Sequence, residues 1–205
     1  MRKCSLLFVL VVLAAAGCTT KVTRMEPDKV VDLGGGWNDT DARLVAQEMI
    51  KDCLAGKWVN EFTQKSGRPP VVIIGAVKNR TFEHIDPGVF IADMEQVLTN
   101  SGKVTFVASR DDREEVRAER TDQQAPPQAG QAGNTDPATI SPKGLETGAD
   151  FMVQGSVNSI KDAVQGRYAV FYQVTLELVD LKTNQKRWIG QKEIKKVVEH
   201  SALKL

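Results

Sequence analysis

The chain has 205 residues, 27 of them Lys or Arg and 26 Asp or Glu, for a formal net charge of +1. Hydrophobic residues make up 41% and charged residues 26%, a globular balance rather than a disordered or membrane-embedded one. Charge this close to neutral exerts no general pull on nucleic acid, which sets that partner class aside.

Met1-Arg2-Lys3 is a short positive start, and residues 5–16 form an apolar run that ends in Gly17-Cys18. A permanent membrane helix needs about 20 apolar residues, so this run matches the core of a cleavable signal peptide instead. Ala15-Ala16-Gly17-Cys18 resembles the bacterial lipobox, with alanine where leucine is usual three residues before the cysteine. The expectation is a signal peptide over 1–17, cleavage before Cys18, and acyl chains on the Cys18 sulfur and new amino group. Two or more chains hold a protein stably on a membrane. The other readings are an ordinary secretory signal with a chance cysteine, or an uncleaved anchor. Loss of residues 1–17 removes Arg2 and Lys3, leaving 25 basic against 26 acidic residues, a net charge of −1. Cys4 leaves with the signal and Cys18 is acylated, so Cys53 has no intramolecular partner and reads as a small buried core residue.

Residues 18–36 read as a lipid-anchored tether that ends in the flexible run Gly34-Gly35-Gly36, and residues 37–200 as one globular domain. Asn38-Asp39-Thr40-Asp41 opens a helix, because cap-forming side chains and acids meet the unpaired amides of a first turn. Ala42, Val45, Ala46, Met49, Ile50, Cys53, Leu54, Trp58 and Phe62 form one helical stripe, which Gly56 breaks or kinks. Gly67-Arg68-Pro69-Pro70 stops it. The run Val71–Val77 predicts a strand covered on both faces. Pro87 starts a helix to about Asn100, burying Phe90, Met94, Val97 and Leu98, and Gly102 closes it. Val104–Val107 predicts a short strand, Asp111–Gln124 a charged exposed helix, residues 125–139 a flexible loop, and Pro142–Thr147 a short helix.

The last third alternates with period two. Phe151, Val153 and Val157 share a face, and so do Tyr168, Val170, Tyr172, Val174, Leu176 and Leu178. A last strand centres on Trp188, Ile189 and Ile194. With a loop at 162–166 and a turn at 180–184, residues 150–197 predict a three-stranded antiparallel meander. Helices precede it, so the fold class is α/β (α+β), a mixed or antiparallel sheet flanked by helices.

No reaction centre is legible. His84 and His200 are the only histidines. His84, in Glu83-His84-Ile85-Asp86, reads as a general base or as a hydrogen-bonding residue near a helix start, and the second is favoured. There is no zinc-ligand spacing, calcium loop, phosphate-binding loop or serine elbow, so no catalytic, metal or cofactor residue is assigned. Lys192, Lys195 and Lys196 on the last strand, with Lys161, Arg167, Lys182, Lys186, Arg187 and Lys204, read either as a surface docking an acidic protein or as charges that protect an open strand edge.

Several blocks occur in order: Gly36-Trp37-Asn38-Asp39-Thr40-Asp41-Ala42-Arg43-Leu44-Val45, Asn79-Arg80-Thr81, Glu83-His84-Ile85-Asp86, Ser101-Gly102-Lys103, Gly155-Ser156-Val157, Tyr172–Asp180, and Trp188 with Gln191-Lys192-Glu193-Ile194. Together, from about residue 34 to 197, they resemble the LpoB-type penicillin-binding protein activators. The resemblance implies a fold like the N-terminal domain of the TolB translocation protein. It also implies a non-enzymatic outer-membrane lipoprotein, palmitate-bearing and facing the periplasm. Such a protein binds and activates a class A penicillin-binding protein, a bifunctional transpeptidase and glycosyltransferase, and so regulates peptidoglycan synthesis and cell shape. Thr19 after Cys18, rather than aspartate, is consistent with that sorting. The tether is shorter than the long proline-rich one of better-known members, and partner-contact residues do not carry over. A second reading keeps the fold but makes the chain a binding or assembly module of a transport or secretion complex.

Overall fold

A computed structural model describes residues 22–27, 29–32, 34–125 and 135–199. The signal peptide, Cys18, residues 126–134 of the expected loop, His200 and Lys204 lie outside the described residues. Residues up to Val30 form one unit and those from Val31 a second. The described part of the first has neither helix nor strand.

In the second unit, α1 (Asp39–Ala55) begins at Asn38 with a reciprocal cap: the Asn38 side chain accepts the Asp41 N–H, and the Asp41 carboxylate accepts the Asn38 N–H. Its stripe from Ala42 to Leu54 is buried as expected. Gly56 breaks the helix in extended conformation, and α2 (Lys57–Ser66) follows, ended by Gly67 at φ 68°. Trp58 bridges the break by donating from Nε1 to the Cys53 carbonyl at 2.7 Å. Trp58 and Phe62 then pack edge-on against Phe151, at centroid distances of 5.1 and 5.3 Å.

Strand β1 (Val71–Arg80) outlasts the apolar run by three residues, and Val71–Ile74 are buried on both faces. Asp86 caps α3 (Pro87–Asn100) by accepting the Gly88 N–H. Phe90, Met94 and Leu98 are buried there, while Val97 is only partly so. After β2 (Thr105–Phe106) comes α4 (Arg110–Gln123), whose Ser109–Asp112 capping box went unread in the sequence and whose length buries no residue. Within the expected loop, Pro137–Thr139 form a 3-10 turn. The expected helix at Pro142–Thr147 is absent. Lys143-Gly144 turn instead, with Gly144 at φ 85°, and Glu146 reaches Arg117 and Arg120 on α4 at 2.6 and 2.9 Å.

Strands β3 (Phe151–Val164), β4 (Arg167–Asp180) and β5 (Lys186–Glu199) each run 14 residues. The expected loop 162–166 shrinks to the two-residue turn Gln165-Gly166, because pairing continues to Val164 opposite Arg167 and Gly166 takes φ 76°. The sheet order is β2-β1-β3-β4-β5. Strand β1 is parallel to β2 and β3, and β3–β5 are the antiparallel meander. The fold is therefore the expected α+β mixed sheet with helices. Gly155, on the core face, admits no side chain: a Cβ there would lie 2.1 Å from the Thr175 carbonyl oxygen.

Candidate docking surface

Helices α1, α2 and α3 lie on one face of the sheet, where they meet Val72, Ile74, Val77, Phe151, Val153, Val157 and the even-numbered residues Val170 to Leu178 of β4 in a single core. The opposite face of the meander carries the even residues of β3 and the odd residues of β4 and β5. None of these is buried. Near the turn that joins β3 to β4, this outer face groups apolar side chains among charged ones. Ile160, Phe171 and Lys195 form one cross-strand row, Asp162, Ala169 and Val197 the next, and Val164, Arg167 and Glu199 the last. Ile160 is 68%, Val164 71% and Val197 51% exposed. Uncovered apolar side chains grouped this way on one sheet face mark an interaction site more often than scattered ones do. Further along, Asn158, Gln173 and Glu193 continue the face as a polar flank.

These apolar residues escaped the sequence reading for a physical reason. The alternation on β4 is set by its stronger, core-facing phase, which leaves Ala169 and Phe171 in the weaker one. The signal was Phe171 itself, an aromatic residue in that weaker phase.

Behind this region, on the inner face, the chain entering the domain is held against the sheet. The Lys196 ammonium donates to Asp32 at 2.8 Å and to the Gly36 carbonyl at 3.0 Å, and pairs with Asp41 at 2.6 Å. Burial opposes the Lys196 charge, but Asp32 and Asp41 outweigh it and raise its pKa. The Tyr172 hydroxyl donates to Glu83 at 2.6 Å, and the other Glu83 oxygen accepts the Trp37 N–H at 3.0 Å. Trp37 packs edge-on against Tyr172 with centroids 5.6 Å apart. Gly35 lies so close to the sheet that a Cβ would come within 2.3 Å of Val198. The glycine run read as the flexible end of a tether thus belongs to the packed unit, with Gly35 buried.

The basic residues of the last strand are mostly absorbed by carboxylates. Lys192 pairs with Glu48 and Lys196 with Asp41, while Trp188 donates to Asp52 at 2.8 Å, a ladder joining β5 to α1. Arg187 meets Glu61, Lys186 meets Glu177, and Arg167 meets Glu199. Pairing mutes the field that would attract an acidic partner. Among the described residues, β5 pairs only with β4 and its outer edge is open.

His84 is exposed in the loop before α3, and no hydrogen bond involves it among the described residues. The expectation that it hydrogen-bonds near the helix start is corrected: Asp86 makes the cap, and Glu83 holds Trp37 and Tyr172. Cys53 is buried, and burial, with the charge of Asp52, pushes its thiol up to about 12. A cleft of about 640 Å³ beside α2 is lined by Glu61, Arg68, Asp150 and Arg187, whose charges are spent on the Arg68–Asp150 and Arg187–Glu61 pairs. Among the described residues no group of three His, Cys, Asp or Glu is placed to hold a metal, and no helix is long and apolar enough to cross a membrane.

The fold is an α+β domain whose meander leaves one sheet face uncovered, with exposed apolar side chains among charged ones near the β3–β4 turn. The family model described as peptidoglycan-synthase activator LpoB matches residues 41–194, and the chain belongs to that family. Among curated proteins no sequence matches it. The LpoB C-terminal domain from Salmonella enterica is similar at 18% identity and a TM-score of 0.41, over 75% of this chain and 98% of that one. LpoB of E. coli is similar at 14% identity and 0.40, over 91% of this chain and 84% of that one. The lipoprotein GNA1162 from Neisseria meningitidis is similar at 13% and 0.38, over 66% and 88%.

Proposed function

We propose that this chain is a non-enzymatic outer-membrane lipoprotein that binds and activates a class A penicillin-binding protein, raising peptidoglycan synthesis. Acyl chains on Cys18 hold it to the membrane after residues 1–17 are removed. The observation that carries the reading is the match to the synthase-activator family over residues 41–194. The outer face of β3–β5 supports it, because a domain that works by contact needs an uncovered surface, and this one presents Ile160, Phe171, Val164 and Val197 together. Activation requires that the domain bind the synthase's active state more tightly than its inactive state, since equal affinity shifts nothing.

The test is a pull-down of envelope proteins with the soluble chain from Thr19 onward, beside a Phe171→Glu variant. Phe171 is half-buried on the outer face, so a charge there disturbs docking rather than the core. Recovery of a bifunctional synthase with the unaltered chain, lost in a variant that melts normally, is the expected result. Recovery of a transport or secretion complex instead would overturn the reading.

A further inference from the structure

A long open strand edge is a template for another strand, and proteins guard such edges with short strands, proline, bulges or lysines. Strand β5 has few of these guards. It runs 14 residues without proline, and its pairing to β4 is regular from Trp188 to Glu199, the irregularity falling before Trp188. Among the described residues no strand lies beside its outer edge. The opposite edge of the sheet is β2, only two residues long. Among the described residues the sheet thus has one extended open edge.

The charges along β5 divide into two groups. Lys186, Arg187, Lys192, Lys196 and Glu199 each belong to an ion pair within the chain. Glu193 and Lys195 belong to none among the described residues, and Glu193 accepts the neutral Gln191 amide at 2.7 Å. Both are exposed and, two positions apart, they share the outer face. The charges left over are one of each sign, so the edge complements a copy of itself rather than a uniformly acidic or basic partner. In an antiparallel pair of two β5 strands with the two-fold axis at Ile194, Glu193 of each copy stands opposite Lys195 of the other. Moving the axis one residue either way sets Glu193 opposite Glu193 or Lys195 opposite Lys195, and like charges directly opposite are destabilising. Charge therefore fixes the register. On the inner side Ile194 faces Ile194, and Lys192 faces Lys196, whose charges Glu48 and Asp41 already offset.

We infer that this chain forms a two-fold homodimer by pairing β5 with β5 of a second copy, Glu193 and Lys195 setting the register. A self-complementary contact of this kind closes on itself, so it uses both extended edges and assembly stops at two. The axis stands perpendicular to the sheet, so one continuous sheet carries the outer faces of both copies on the same side. The inference rests on the strand edge and not on the proposed synthase contact.

The experiment is analytical ultracentrifugation of the soluble chain from Thr19 onward over a concentration series, unaltered, with Glu193→Lys, with Lys195→Glu, and with both. The core from Ala42 to Leu178 lies within that chain. Both side chains are exposed, so the variants should melt as the parent does. The expected result is a monomer–dimer equilibrium in the parent, weakened about tenfold or more by either substitution alone. Combining the two should restore it, because opposite signs face each other again. Mixing the two single variants should restore it as well, since one brings two positive charges to the edge and the other two negative. A parent that stays monomeric at every concentration would overturn the inference. Dimers indifferent to both substitutions use another surface and would overturn it too, as would assembly that continues beyond two copies.

Discussion

Replacing Tyr172 by phenylalanine removes one hydroxyl from the fully buried centre of the inner face and leaves the ring against Trp37 in place. The hydroxyl's short bond, 2.6 Å, is to the Glu83 carboxylate, and a longer one, 3.3 Å, reaches the Gly35 carbonyl. A hydrogen bond to a charged group contributes about 1.5–3 kcal/mol. Glu83 is half-exposed and keeps the Trp37 N–H, so water and that amide compensate in part and the lower end, about 1.5 kcal/mol, is expected. For a domain of this size that is a melting temperature lower by roughly 3–6 °C. A second signature appears at high pH. Burial, then the hydrogen bond to Glu83 and its charge, raises the Tyr172 pKa. The folded state therefore keeps this proton longer than the unfolded state. Its contribution is complete below the unfolded tyrosine value of about 10 and is lost as pH rises above it. Calorimetry from pH 7 to 11 on both chains measures both effects. A variant that melts within 1 °C of the parent at pH 7 and loses stability just as steeply above pH 10 would refute the reasoning.

Cys53 is the only thiol in a soluble chain from Thr19, and with its pKa near 12 it should resist a thiol reagent at pH 8 until the domain opens. Labelling should accelerate with denaturant in step with unfolding, and rapid stoichiometric labelling of the folded domain would contradict that. The hydrogen bond from Arg117, with the charges of Arg117 and Arg120, holds Glu146 at about 2. Because folding depresses this pKa, the tie from Glu146 to α4 is complete above the unfolded glutamate value of about 4.3 and is lost as pH falls toward 2. A carboxyl NMR titration should show that low midpoint, and Arg117→Gln should move it upward; a midpoint near the ordinary value in the parent would count against the pairing.

Where burial imposes a period, the elements were legible. The stripe from Ala42 to Leu54, the run Val71–Ile74 and the even positions of β4 are buried as their spacing requires. The break at Gly56 and the starts at Asn38 and Pro87 followed from local chemistry. What escaped depends on partners distant in sequence. Residues 142–147 carry no helix because Glu146 bonds to arginines on α4, 26 and 29 positions away. The glycine run reads as linker until Lys196, 160 positions beyond Gly36, accounts for its carbonyl. The open apolar face was hidden by its own phase: in β3, Ile160 and Val164 lie on the outer side while Lys161 turns inward over the Tyr168 ring at 4.4 Å. No local pattern marks that reversal.

The account is tested most directly by the rate at which a purified class A penicillin-binding protein polymerises glycan chains, with and without the soluble domain. A faster rate with the domain, lost with Phe171→Glu, is the predicted result. An unchanged rate at saturating domain, or glycan chemistry carried out by the domain alone, would contradict it.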